Sequence, residues 1–322
     1  MAGGQERILR RRIRSVQATK KITRAMELIA ASRIVKAQAR VQAAVPYADG
    51  ITDVVRHLQA ASGSGSSPFL VARPNIRNCA EVIIAADRGL CGGYNTTVIR
   101  AGEAQMRVHQ AQGRRASVVA VGRKVESYFR FRGQPIDATF SGFSDSPTYE
   151  DARRVAASVV KRFESGELDL VELVYTRFIS AGRQEVVVRP LLPLDQEGFE
   201  AGDAQPEGPA ADYEFEPNPE TILDTLLPRY AEARVYAALL NAAASEHAAR
   251  QRAMKAATDN AEDLILTYTR RMNRARQDSI TTEIMEIVGG AEALSKGAGD
   301  QHHEPEEEEY FEKAASTFGA LT

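Results

Sequence analysis

Nowhere in this 322-residue chain do apolar residues run uninterrupted for close to eighteen positions. No segment is therefore expected to cross a bilayer as a helix. A secretory leader is not indicated either, because no apolar run and small-residue cleavage site follow the basic opening MAGGQERILRRRIRS. Cysteine is scarce. Cys79 and Cys91 are the only two, too few for a disulfide framework and not spaced as a metal site. They read as reduced thiols of a cytosolic protein. The five histidines are scattered. The one adjacent pair, His302-His303, stands beside EPEEEE in what reads as a disordered tail. No Ser/His/Asp or Cys/His grouping and no strand-end carboxylate pair can be picked out, and Asp145 and Asp151 suit turn and cap positions around a proline. Catalysis by this chain alone is not indicated, and neither a cofactor nor a metal is expected.

What is present is a core-forming composition, 43% hydrophobic and 26% charged, with a net charge of -2 that is unevenly placed. Residues 1–40 hold eleven Lys or Arg against two Glu, whereas the tail DQHHEPEEEEYFEK is acidic. Such asymmetry suits either nucleic-acid binding or a solvated helix face opposite an acidic partner. Leu9, Ile13, Val16, Ile22 and Met26 pass through the basic clusters RRRIRS and TKKITR, which commits that face to packing. No aromatics interleave there to stack bases. The packing reading is favoured; a basic coiled-coil nucleic-acid-binding or scaffold protein is the alternative.

Periodicity divides the chain into a long helix, a compact α/β domain, a second long helix and a tail. Over 1–60, apolar residues recur at steps of three and four, as Leu9, Ile13, Val16, then Ile22, Met26, Ile29, then Ile34, Val41, Val45. This predicts about 80 Å of helix, kinked or interrupted at Pro46. Residues 61–75 include the linker ASGSGSSP. Within 76–194, EVIIAA (81–86) and ASVVAV (116–121) read as buried parallel strands, each followed by a helix, near 95–112 and 123–132. A capped helix follows at 148–163, with Thr148 and Asp151 at its start. A strand pair, 169–178 and 184–194, closes the domain around SAGR. The fold class is thus an α/β sandwich with a mostly parallel sheet. Residues 195–217 form an acidic, Gly/Pro-rich connection. Helix resumes over 218–295 behind Asn218-Pro219, with Pro228 a kink or the true start, and 296–322 is the acidic tail. Two helices this long cannot bury their stripes on one small domain. They are expected to pair with each other as an antiparallel coiled coil, its seam ending in Ile280, Ile284, Ile287 and Leu294. GLCGGYN (89–95) sits between strand and helix, where α/β folds hold phosphates, but it lacks GK[ST] and is not GxGxxG. A tight turn, with Asp87-Arg88 fixing it through a charge pair, is the default.

Three blocks carry a family resemblance. RRRIRSVQATKKITRAMELIAASRIVKAQ (10–38), ADRGLCGGYN, and RAMKAATDNAEDLI followed by RARQDSITTEIMEIVGGAEAL resemble, in order and over nearly the whole chain, the gamma subunit of F-type ATP synthases. Ala86 replaces the family's usual serine. The resemblance implies a Rossmann-like central domain carrying a two-helix coiled coil that turns inside a ring of alpha and beta subunits. The implied role is a rotary, non-catalytic central stalk that passes the rotation of the membrane c-ring to the catalytic ring. It also implies contact with the epsilon subunit, membership of a sector with delta, and a peripheral place on the cytoplasmic face of a bacterial membrane. Neither nucleic acid nor a small-molecule substrate is implied. Positions matching the family's beta-facing contacts are Met26, Arg250, Arg276, Gln277, Thr281 and Glu283. The dithiol insert of chloroplast members has no counterpart, and the insert near 200–216 and the tail beyond Leu294 fall outside the family core.

Overall fold

The computed structural model describes residues 2–62, 67–71, 73–194, 216 and 218–297. The expected acidic connection and tail therefore lie almost wholly outside the described residues. In chain order the elements are α1 (Ala2–Ser62), β1 (Asn78–Ile84), α2 (Tyr94–Ala111), β2 (Arg115–Val121), α3 (Arg123–Phe131), β3 (Ile136–Phe140), α4 (Tyr149–Glu164), β4 (Leu170–Phe178), β5 (Gln184–Leu192) and α5 (Pro219–Gly297). Two compact units result. One contains Met1–Ala18 with Glu262–Thr322, the other Thr19–Ala261.

In the second unit the strands form one sheet in the order β3-β2-β1-β4-β5. The β1–β2, β2–β3 and β1–β4 pairs are parallel and β4–β5 is antiparallel. Both faces are covered, which is why β1 and β2 read as continuous apolar runs rather than alternating ones. One face packs under α2 and α3 through Ile83, Val98, Met106, Val118, Phe129 and Val174. The other carries α4, the last turns of α1 and the first of α5, through Val55, Leu58, Val159, Phe163, Leu227 and Leu239. Strand β3 went unseen in the sequence because IDATF is only half-buried, with two exposed positions.

Helix starts follow their capping chemistry. Thr148 Oγ1 accepts from the Asp151 amide at 3.2 Å, and Asp151 Oδ2 accepts from the Thr148 amide at 2.9 Å, closing a capping box. Partial burial pulls the Asp151 carboxyl upward, but bonds from the Thr148 hydroxyl and amide and from Arg154 hold it below its usual range. Thr148→Ala is expected to cost about 1 kcal/mol, read as a lower urea midpoint with an unchanged slope. Asn218 Oδ1 accepts from the Thr221 amide at 2.8 Å, with Pro219 as the first helical residue. Pro46 and Pro228 both lie inside helices and end neither. Pro46 and Gln42, whose carbonyl loses its intrahelical donor, are both exposed, so that carbonyl stays open to solvent.

Helices α1 and α5 pair antiparallel in this unit. Thr258 Oγ1 meets Thr23 Oγ1 at 2.8 Å, Arg33 and Ala37 stand beside His247 and Ala243, and Ala44 and Tyr47 stand beside Ala233 and Tyr236. The buried stripe of α1 here is Thr23, Glu27, Ala30, Ile34 and Ala37; Ile34 falls where spacing put it, whereas ahead of it the stripe lies one position round from Ile22, Met26 and Ile29. Ile22, Ile29 and Val45, assigned to the stripe by spacing, are 61%, 55% and 47% exposed. The reason is size. Alanines dominate the α5 face, and close approach of two helices favours small groups at the contact.

In the other unit Leu9, Ile13 and Val16 are half-buried, as are Ile265, Tyr268, Met272, Ala275 and Ser279. From Ile280 to Leu294 every residue is exposed. Among the described residues, no helix covers the expected seam Ile280, Ile284, Ile287 and Leu294.

Candidate partner-contact site

No group suited to catalysis converges at GLCGGYN; the loop is a joint. Tyr94 donates its hydroxyl to the Ala242 carbonyl of α5 at 3.1 Å, inside the protein. Asn95 accepts from the Ala86 amide at 2.9 Å and donates to the Arg88 carbonyl at 3.2 Å, tying the end of β1 to the loop. Gly92, at φ 59, has the Ala253 Cβ 3.6 Å from where its own Cβ would stand. Cys91 is buried, and desolvation raises its thiol above the ordinary range, so it stays protonated.

Asp87 does not pair with Arg88 as expected. It accepts from the amides of Arg123 at 3.1 Å, Gly142 at 2.8 Å and Ser144 at 3.2 Å. One carboxylate thus gathers three chain segments at the C-terminal ends of β1, β2 and β3. Gly122 crosses between them at φ 99, where a Cβ would lie 2.2 Å from the Ala85 carbonyl oxygen. Only glycine fits there.

Between this corner and the coil lies a cavity of about 420 Å³, lined among others by Met26, Ile29, Arg33, Leu90, His247 and Arg250. Arg250 is drawn inward. Its Nη1 lies 2.7 Å from Glu246 Oε1 and its Nη2 donates to the Gly89 carbonyl at 3.3 Å. Arg33 Nη1 pairs with Asp145 Oδ2 at 2.5 Å. His247 is buried with Nε2 3.0 Å from the Asp145 carbonyl, and desolvation holds its pKa below the usual value, so it is neutral at pH 7.

Apolar side chains at the rim of the cavity are also exposed. Leu90, held at φ 63, is 62% exposed. Ile22, Met26 and Ile29 follow at four and three residues, hence on one face of α1. Met26 and Arg250, two of the sequence-predicted contacts, thus line the same cavity. Arg276, Gln277, Thr281 and Glu283 are all exposed on α5 in the other unit. There Ser279 Oγ lies 3.4 Å from Glu283 Oε1 and Thr281 Oγ1 donates to the Gln277 carbonyl at 3.0 Å.

The ATP synthase family model matches residues 5–294. The ATP synthase gamma chain of Parafrankia sp. is 51% identical over 299 residues, covering 92% of this chain and 99% of that one. The chain belongs to the ATP synthase gamma-chain family. The gamma chain of Kineococcus radiotolerans is 49% identical, over 91% of this chain and 97% of its own. Among solved structures, a chain of the Euglena gracilis mitochondrial ATP synthase, an OSCP/F1/c-ring assembly, matches with a TM-score of 0.65. It shares 18% identity and the match covers 94% of this chain and 99% of that one. A chain of the Tetrahymena thermophila central stalk and c-ring matches at 0.55, with 23% identity over 73% of this chain and 99% of that one. The fold expected from the sequence, an α/β domain between two long helices, is that of these chains. As a gamma chain the molecule is a non-catalytic central-stalk subunit of an ATP synthase, and the nucleic-acid alternative falls away. No helix among the described residues is long and apolar enough to cross a membrane.

Proposed function

We propose that this gamma chain turns inside a ring of alpha and beta subunits and offers them two surfaces. One is the apolar strip of Ile22, Met26, Ile29 and Leu90 beside the Arg250 joint. The other is α5 from Arg276 onward, where Arg276, Gln277, Thr281 and Glu283 present polar groups near the exposed Ile280, Ile284, Ile287 and Leu294. The observation that carries this reading is the exposure of those apolar side chains. The described residues leave these side chains uncovered, which supports a surface for another protein.

The mechanism is differential contact. A shaft without threefold symmetry meets three chemically identical beta subunits in three ways, and so biases each toward a different conformation. Driving a two-state equilibrium from 1:99 to 99:1 takes about 5.5 kcal/mol of difference. A few charge-assisted hydrogen bonds of about 1.5–3 kcal/mol each reach that. Lys20, Lys21 and Arg24 suit acidic loops of the ring; Arg24 already has Glu27 within 2.9 Å. In this reading the α/β domain meets epsilon and the c-ring, delta belongs to the same sector, and the assembly sits at the cytoplasmic face of a bacterial membrane. Tagged chain is expected to bring down alpha, beta and epsilon in fixed ratio, and recovery of nucleic acid alone would refute the assignment. Gln277→Ala and Glu283→Ala are each expected to slow ATP hydrolysis by the assembled complex by up to about tenfold, the equivalent of about 1.4 kcal/mol, without dissociating it. Unchanged rates in both variants would remove those two residues from the contact surface.

A further inference from the structure

Glu81 and Glu172 are register partners in the parallel β1–β4 pair, each set within an apolar run, NCAEVII and LVELVYTRF. Like charges directly opposite on a sheet repel. Helix α2 lays His109 over them, with Nε2 2.7 Å from Glu172 Oε2 and 3.1 Å from Glu81 Oε1. One oxygen of each carboxylate and that nitrogen all lie within 4.8 Å of one another. Gln105, one turn earlier on α2, donates to Glu172 Oε2 at 2.9 Å and fixes the outer carboxylate. Glu81 is fully buried. Neither of its oxygens accepts a hydrogen bond; the imidazole nitrogen stands close to Oε1 without hydrogen-bond geometry. A buried carboxylate left so, aimed at an imidazole and a second carboxylate, must be neutralised by a proton or by a cation.

We propose that Glu81, His109 and Glu172 bind a divalent transition-metal ion of the zinc class. One imidazole nitrogen and two carboxylate oxygens suit that class, with a water completing four-coordination. Metal–ligand distances of about 2.0–2.2 Å put tetrahedral ligands about 3.3 Å apart, so Nε2, at 2.7 and 3.1 Å from the two carboxylates, need only draw back slightly. Cys79, on the same strand, stands outside the cluster. Binding exchanges charge. Glu81, Glu172 and Nε2 each give a lone pair to the ion, and any proton held on those three atoms leaves to solvent. The imidazole then carries its hydrogen on Nδ1. Arg114, whose Nη1 now lies 3.3 Å from Nδ1, opposes that and must swing outward. Arg114 follows Gly113 at the end of α2 and is only half-buried, which leaves it room to move.

The test is calorimetric titration of zinc chloride, and separately manganese chloride, into the chelator-stripped full-length chain at neutral pH. His302 and His303 are replaced by alanine in every sample to remove the tail as a competing site. One ion per chain is expected, with about one proton released, read from the heat in buffers of different ionisation enthalpy. His109→Ala and Glu172→Gln should each weaken binding at least tenfold. Arg114→Gln should tighten it, because glutamine can accept the Nδ1 hydrogen that arginine repels. Glu172 lies at the partly open rim, so its variant remains informative if the His109 variant unfolds. Absence of one-ion saturation, or affinity unchanged in Glu172→Gln, overturns the site and leaves a proton-sharing pair.

Discussion

Arg250→Ala in the full-length chain is expected to lower the free energy of unfolding by about 3–5 kcal/mol, the range for stripping one partner from a buried ion pair. The partner left behind is Glu246, 2% exposed, with Arg250 Nη1 at 2.7 Å from its carboxylate. Its other charged neighbours do not compensate. Arg33 is already paired with Asp145, and His247 is neutral at pH 7. The substitution also releases the Gly89 carbonyl, which Arg250 Nη2 holds at 3.3 Å, and so loosens the joint between GLCGGYN and α5. Glu246→Gln on the alanine background should restore most of the loss, because it removes the stranded charge rather than replacing the contact. Urea unfolding of the two single variants and the double variant measures the coupling. A loss below about 1 kcal/mol would make Arg250 a residue exposed in practice and held for a partner subunit. A large, Glu246-dependent loss makes its first role internal, with any effect on ATP hydrolysis passing through the loop it positions.

How much of this was legible in the sequence differs by element. The strands β1, β2, β4 and β5 could be placed because runs such as EVII and SVVAV have one physical use in a globular chain, and the capping box at Thr148 because its two residues act within one turn. Strand β3 could not, since an edge strand that buries little leaves no pattern. Ahead of Ile34, which is buried as expected, the α1 stripe lies one position from the expected one for a related reason. Periodicity counts large apolar residues, whereas the interface was built from Thr23, Ala30, Ala37 and Thr258, and the large Ile22 and Ile29 were left outside. The seam from Ile280 to Leu294 is a pattern that no helix among the described residues covers, because the partner of a helix face is set by tertiary register that no local pattern holds. Met26 was marked as a contact by family resemblance alone; its exposed neighbours Ile22, Ile29 and Leu90 now supply a physical reason. The Glu81–His109–Glu172 cluster was missed altogether. A charge in the middle of a buried-strand run, in EVII and again in LVELVY, was the available signal, and pairing the two required the sheet topology.

That cluster sets the pH dependence of the second unit. Burial, opposed by His109 and reinforced by Glu172, raises the Glu81 carboxyl from its ordinary 4.5 to about 7. His109 is raised as well, chiefly by Glu81, against its own desolvation. Both groups hold protons more tightly in the folded state than in the unfolded one. The linkage is therefore the reverse of an acid-labile salt bridge. Below about pH 4.5 both states keep the Glu81 proton and nothing is lost. Between 4.5 and 7 the unfolded chain releases it and the folded chain does not, so stability falls as pH rises. Above about 7 the loss is complete, on the order of 3 kcal/mol for a shift of this size. The carboxyls of Asp151 and Asp169, both held low, act oppositely, but their loss comes as pH falls through and below 3.8, outside this window. Buried His247, held below 6.5 by desolvation, acts oppositely inside it, since below 6.5 the unfolded chain takes up a proton that the folded chain refuses. In chelator, Glu81 is expected to favour the full-length chain in urea at pH 5.5 over pH 8, by an amount from which the His247 contribution subtracts. Glu81→Gln should flatten that difference and exceed the unsubstituted chain at pH 8, since the amide keeps the shape, carries no charge and can donate to Glu172. A Glu81→Gln chain whose stability still falls between pH 5.5 and 8 as steeply as before would place the titrating group elsewhere. One equally stable at pH 8 would mean that Glu81 is ionised in the folded state at little cost.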